Sequence, residues 1–254
     1  MLLALTRAVP PSIARCELTH LARSPIDVAL ATAQHDNYEA ALEALGCAVR
    51  RIPPAPDLPD SVFVEDTAVV LDDVAVITRP GAESRRGEAA PVAAALATYR
   101  PLRFIQAPAT VDGGDVLRLG RQIHVGLSGR TNADGVRQLR DLLAPFGYTV
   151  DCVAARGCLH LKTAVTPVGD GLLLLNPEWV DGRAFEGASW IEVDPWEPHA
   201  ANVLRVDGTV LCAAAAPQTQ ARLEARGVRV CSIDVSELAK AEAGLTCCSL
   251  VFSP

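Results

Sequence analysis

The feature that most constrains the fold is a unit that recurs along the chain. Two apolar runs are joined by a tight polar turn, and a helical stretch and a further apolar run follow. The first pair of runs is Val62–Leu71 and Val74–Thr78 across Asp72-Asp73, and the second is Val111–Leu119 and Ile123–Leu127 across Gly120-Arg121-Gln122. The third is His160–Val168 and Leu172–Leu175 across Gly169-Asp170-Gly171, and the fourth is Asn202–Val206 and Val210–Ala213 across Asp207-Gly208. Such turn chemistry suits β-hairpins. Helical patterns follow near Glu83–Ala97, Asn132–Leu143 and Gln218–Ala225, with a weaker one at Pro177–Phe185. The hairpin turns lie roughly 40–50 residues apart, a spacing that points to a repeat architecture.

Ahead of the first hairpin, Leu2–Val9 reads as a strand stopped by Pro10-Pro11. Ser24-Pro25-Ile26-Asp27 reads as a helix start, with Ser24 as cap and Pro25 at the first position. That helix runs to about Leu45, Gly46 closes it, and Cys47–Ile52 follows as a strand. Strictly alternating strands and helices would give an ordinary α/β sheet, but a hairpin before each helix favours a closed ring of repeats. The expectation is therefore an α/β fold in which residues 1–254 form a single domain.

Half of the 254 residues are apolar and 21% are charged, enough for a sizeable core. The net charge of −7 argues against a nucleic-acid binder, which needs an excess of Lys and Arg to neutralise phosphates. The first residues carry no basic leader, and no apolar run approaches the roughly 18–20 residues of a membrane helix. A cytoplasmic protein is expected. The eight cysteines contain no C-x-x-C pair, so neither a zinc site nor a disulfide framework is expected. The oligomeric state stays open, with a homodimer as one option.

Several segments carry residue types suited to chemistry, each with a plainer reading beside it. The run Ala243–Phe252 is apolar and strand-like and holds Cys247 and Cys248, which strand alternation would point to opposite faces without choosing between them. Glu65 and Asp66 end the apolar run Val62-Phe63-Val64, either as a solvated strand end or as the lining of a cleft. Arg85 lies in a charged loop that enters a helix, either paired with Glu83 and Glu88 or forming a fork for a carboxylate. Asp112-Gly113-Gly114-Asp115 puts two glycines within a strand, as at a bulge, a close approach or a wide turn. Arg130 stands at a helix start capped by Thr131 or Asn132, an unusual place for a cation unless an anion binds there. His160 is either a core histidine or the acid/base partner that a cysteine nucleophile requires.

Together the segments SVFVEDTA, RPGAESRRGE, VDGGDVL, GRTNADG, LHLKT and TCCSL resemble, in order and over nearly the whole chain, the dimethylarginine dimethylaminohydrolases of the guanidine-modifying superfamily. The resemblance implies a five-bladed, pseudo-symmetric α/β propeller of ββαβ repeats. It implies hydrolysis of mono- and dimethyl-L-arginine to citrulline through a covalent cysteine intermediate, with no metal or organic cofactor. By motif, Cys247 matches the nucleophile and His160 the acid/base. Asp112 matches the acid that orients His160, where some relatives carry Glu. Glu65 and Asp66 match acceptors for the substrate guanidinium, and Arg85 and Arg130 match the grip on its α-carboxylate. The carbonyl of Leu18 and the side chain of Asp60 fall near its α-amino group. The implied partner is a small cationic amino acid. An arginine or agmatine deiminase, or a non-catalytic propeller, is the alternative. The first is disfavoured by the lack of room for a helical insertion and by the two arginines, the second by the complete Cys/His/acid set.

Overall fold

Five three-stranded sheets follow one another along the computed structural model, which describes all 254 residues. In each, a first strand pairs antiparallel with a second, which pairs parallel with a third. Ala68–Val70, Ala75–Ile77 and Leu102–Phe104 make one sheet, and Val116–Leu119, Gln122–Gly126 and Thr149–Val153 the next. Val165–Gly169, Leu172–Leu175 and Ser189–Glu192 form another, and Leu204–Val206, Thr209–Ala213 and Arg229–Ile233 the one after it. A parallel return needs a crossover, supplied by helices Ala89–Leu96, Ala133–Leu143 and Pro217–Ala225.

The fifth sheet is built from both ends of the chain. Leu250–Phe252 is its first strand, paired antiparallel with Leu2–Thr6, which runs parallel to Cys47–Arg51 after the helix Val28–Ala44. Residues of the first strands of all five sheets line one central cavity of about 350 Å³, so the sheets are the blades of a closed propeller. A single blade of roughly 40–50 residues is too small to bury a stable core by itself. The blades therefore share apolar clusters, the largest of which joins Tyr38 and Leu42 of the first helix to Leu211, Ile233 and both Cys247 and Cys248. No helix is long and apolar enough to cross a membrane.

Several local expectations change. The first strands are much shorter than the apolar runs that announce them. Val64–Thr67 and Gly113–Asp115 are single 3-10 turns, and Leu161–Ala164 is one α-turn, each leading into its strand. Cys247 and Cys248 likewise lie in a turn, and only Leu250–Phe252 is strand. Side-chain acceptors explain the departure, because they take backbone N–H groups that a ladder would use. Asp66 accepts from Gly114 N at 3.0 Å and Asp115 from Leu161 N at 3.0 Å. The first helix starts later than expected, at Val28. Its cap is Asp27 rather than Ser24, the carboxylate accepting from Ala29 N and Leu30 N. The weak helical pattern at Pro177–Phe185 yields only the 3-10 turn Gly182–Ala184.

Candidate active site

Because each blade begins with a turn instead of a long strand, its backbone doubles back at the end of the central cavity and projects side chains there. The turn containing Cys247 is held from three sides. Tyr38 Oη donates to Leu245 O at 2.9 Å and shares a 2.6 Å hydrogen bond with Ser249 Oγ. Asn202 accepts from Thr246 N and donates to Thr246 Oγ1, and Glu65 N donates to Cys247 O at 3.1 Å. Cys247 Sγ accepts from Gly244 N at 3.3 Å. Burial, with Glu65 and Asp66 nearby, pushes this thiol up to about 12, although the Gly244 N–H and Lys162 oppose the shift. In the free protein it is a thiol. Cys248 is buried in the apolar cluster around Tyr38.

His160 lies across a cavity of about 20 Å³ that Cys247 also lines. Its Nε2 meets Asp112 Oδ2 at 3.1 Å, so the short aspartate reaches the ring directly. Its Nδ1 is 3.8 Å from Asp66 Oδ1. Burial alone would lower the imidazole pKa, but Asp66, Asp115 and Asp112 outweigh it and lift it to about 9, so the ring rests as imidazolium. Gly114 makes room for this ring, since a Cβ there would lie 2.6 Å from His160 Nδ1. Asp66 is itself buried, which disfavours its charge, yet His160 and Arg85 hold its carboxyl down at about 2.

The arginines differ. Arg85 is buried, with Nη1 on Asp66 Oδ2 at 2.6 Å, Nη2 on Glu88 Oε2 at 2.9 Å and on Phe63 O at 3.1 Å, and Nε against Glu88. The second Nη1 hydrogen is the donor it can still offer a ligand. Arg130 is less committed, with Nη2 at 3.3 Å from Thr19 Oγ1 and Nη1 at 3.6 Å from Asp112. Asp60 lines the cavity too and accepts from Glu17 N. Leu18 sits in the strap Glu17–Leu21, of which Glu17 lines the cavity. The Glu242 carboxylate accepts the strap's N–H groups from Thr19 at 3.0 Å and from His20 and Leu21 at 2.5 Å each.

Glu65 faces the other way from Asp66. Its Oε1 pairs with Lys162 Nζ at 2.6 Å and its Oε2 accepts from Thr246 Oγ1 at 2.6 Å. These three residues line the central cavity of about 350 Å³ rather than the small one, so they form the floor between the two. Asp66, Asp112 and His160 present potential metal-ligand atoms within 4.8 Å of one another, as do His35, Asp36 and Glu39. A cation at the first would have to displace the ring proton and Arg85. At the second, Arg51 already bonds both carboxylates.

The chain is 42% identical over 248 residues to the N(G),N(G)-dimethylarginine dimethylaminohydrolase of Streptomyces coelicolor, covering 97% of this chain and 95% of that protein. The chain belongs to the dimethylarginine dimethylaminohydrolase family. The enzyme of the same name from Pseudomonas aeruginosa is 37% identical over 228 residues, covering 89% of this chain and 90% of its own. A solved structure of the Pseudomonas aeruginosa protein, a cysteine-to-serine mutant complexed with citrulline, superposes with a TM-score of 0.94 at 35% identity over 98% of both chains. No protein-family model matches.

The six motifs contain Glu65, Asp66, Asp112, Arg85, Arg130, His160 and Cys247 but do not mark the residues that support them. Lys162, Thr246, Asn202 and Asp115 are visible only as polar residues in or beside apolar runs, whereas the pairing of Arg85 with Glu88 is legible and is present. One signal was available for Asp115, the second carboxylate of the Asp-Gly-Gly-Asp segment. Glu242 had none, because its backbone lies in the left-handed region (φ 59°), where only a glycine would have been conspicuous.

Proposed function

We propose that this chain hydrolyses Nω-methylated L-arginine to L-citrulline and methylamine or dimethylamine, with residues 1–254 acting as one catalytic unit. The observation that carries this reading is the meeting of a cysteine thiol, an imidazolium and a buried carboxylate, Cys247, His160 and Asp66, around one small cavity. A guanidinium is planar and delocalised, and it becomes attackable only when fixed. Asp66 lines the cavity and is the carboxylate that would orient it, while Glu65, whose two oxygens are held by Lys162 and Thr246, would act from beneath. Arg130, with the spare Nη1 hydrogen of Arg85, would bind the α-carboxylate, and Asp60 with the Leu18 carbonyl the α-amino group.

The resting charges suit a substrate-assisted thiolate. A cation placed beside Cys247 favours its ionisation, and the thiol proton leaves to solvent. Sγ then attacks the guanidinium carbon, forming the C–S bond. His160 gives its proton to the departing amine as the C–N bond breaks, leaving a thiouronium on Cys247. Water next attacks that carbon while the now neutral His160 takes one of its protons. The C–S bond breaks, the ureido group of citrulline forms, and the second water proton re-forms the thiol. Asp112 keeps Nε2 protonated and so leaves Nδ1 to serve both steps.

Citrulline release from a panel of monomethylarginine, dimethylarginine, arginine and agmatine tests the reading. Release from the methylated arginines is expected. Silence on every member would replace this function with that of a non-catalytic propeller.

A further inference from the structure

Asp115 has no role in the chemistry above, yet it is fully buried and is the centre of a network. Its Oδ1 accepts from Leu161 N, the residue after His160, at 3.0 Å, and its Oδ2 accepts from Ser128 Oγ at 2.6 Å. Ser128 Oγ in turn accepts from Arg130 N at 3.0 Å and Thr131 N at 3.1 Å. Thr131 Oγ1 then accepts from Asp112 N at 3.1 Å, and Asp115 N closes the loop on Asp112 O at 3.0 Å. The fold leaves space for this carboxylate. A Cβ on Gly126 would stand 2.9 Å from Leu161 Cβ and 3.1 Å from Asp115 Oδ1.

Asp115 forms no ion pair with lysine or arginine, and the cation that favours its charged form is His160. A buried carboxylate without a direct cationic partner is costly: burial raises the pKa of Asp115, and the His160 imidazolium with three N–H and O–H donors opposes that rise. Simple packing would be served better by Asn or Leu at such a place.

We propose that Asp115 is a positioning residue that holds the proton donor and the carboxylate clamp in one register, His160 through Leu161 and Arg130 through Ser128. It also adds a third negative charge to the setting of the ring. The other charged groups there are Asp112 at Nε2, Asp66 at Nδ1, Arg85 and Arg130 behind those carboxylates, and Glu17, Asp60, Glu242 and Cys247 on the cavity wall. Cys158 precedes the histidine and lies near Asp115.

The inference rests on His160 being the proton donor of the proposed hydrolysis. For a resting thiol beside an imidazolium, kcat/KM climbs with pH and levels off as His160 loses its proton, about 9 in the wild type. Asp115→Asn keeps the acceptor for Leu161 but removes the charge, so the levelling-off should move down by about one pH unit. Ser128→Ala cuts the link to Arg130 and should raise KM for dimethylarginine severalfold without that shift in pH. A folded, active Asp115→Asn enzyme whose pH profile overlays the wild type would overturn the inference and leave the hydrolase reading intact. An inactive wild type would overturn the hydrolase reading, and the inference with it. Carboxyl NMR titration of the wild type needs no variant. Asp115 should be ionised at pH 7.5, and a carboxyl still protonated there would also overturn the proposal.

Discussion

Alkylation of Cys247 by iodoacetamide gives the sharpest test of the resting charge state. With the thiol held at about 12, its thiolate fraction at pH 7.5 is about 3 × 10⁻⁵, against roughly one tenth for an ordinary cysteine near 8.5. That is a deficit of about 3,000-fold. A more basic thiolate is also a better nucleophile, and with a Brønsted slope of about 0.4–0.5 the 3.5-unit difference restores roughly 25- to 55-fold. The net expectation is alkylation about 100-fold slower than for an ordinary thiol, before any further slowing from the burial of Cys247. Access multiplies the rate by a constant, so the slope against pH is the cleaner observable. The rate at Cys247 should rise about tenfold for each pH unit between 6 and 9. Peptide mass spectrometry after timed quenching follows Cys247 separately, with the exposed Cys152 as an internal reference. A rate at Cys247 that levels off below pH 8 would show a thiolate already formed in the free protein. It would refute both the burial argument and the need for a cationic substrate to ionise the thiol.

Two substitution pairs separate roles that look alike in sequence. Cys247→Ser should abolish citrulline release, whereas Cys248→Ser should keep most of it because that side chain only fills the cluster around Tyr38; equal activity of both variants would withdraw Cys247 as nucleophile. Arg130→Ala should raise KM for dimethylarginine about 10- to 100-fold, the worth of a charge-assisted hydrogen bond, at little cost in stability. Arg85→Ala should instead lower the melting temperature, because it strands the buried Asp66 and Glu88 at a cost of about 3–5 kcal/mol, and an unchanged melting curve would count against that account.

The repeat was legible because hairpin turns and helix patterns are local signals, and they announce four of the five blades; the fifth joins the two ends of the chain. The last stretch before each strand was not legible. Val62–Thr67, Val111–Asp115 and the residues around Cys247 are apolar enough to read as strand, but they turn because carboxylates and carbonyls from neighbouring blades take up their N–H groups. Those acceptors are distant in sequence, so no window around Glu65 could have shown that it would face Lys162 while Asp66 faced Arg85. The same holds for the two cysteines. Alternation on a strand set them on opposite faces for a reason that does not apply, and it is the packing of Cys248 against the first helix that distinguishes them.

The pairing of Leu3 with Phe252 has a consequence for how the protein comes into being. Four blades can form from contiguous stretches of chain, each from contacts near in sequence. The fifth must wait for the two most distant strands to meet, which is the slowest kind of contact to make. Cys247 stands on the segment that arrives last, so during synthesis the thiol joins the other site residues only when the ring shuts. A partly made or partly unravelled molecule can keep most of its secondary structure and yet have no assembled site. Activity is therefore a direct report of closure.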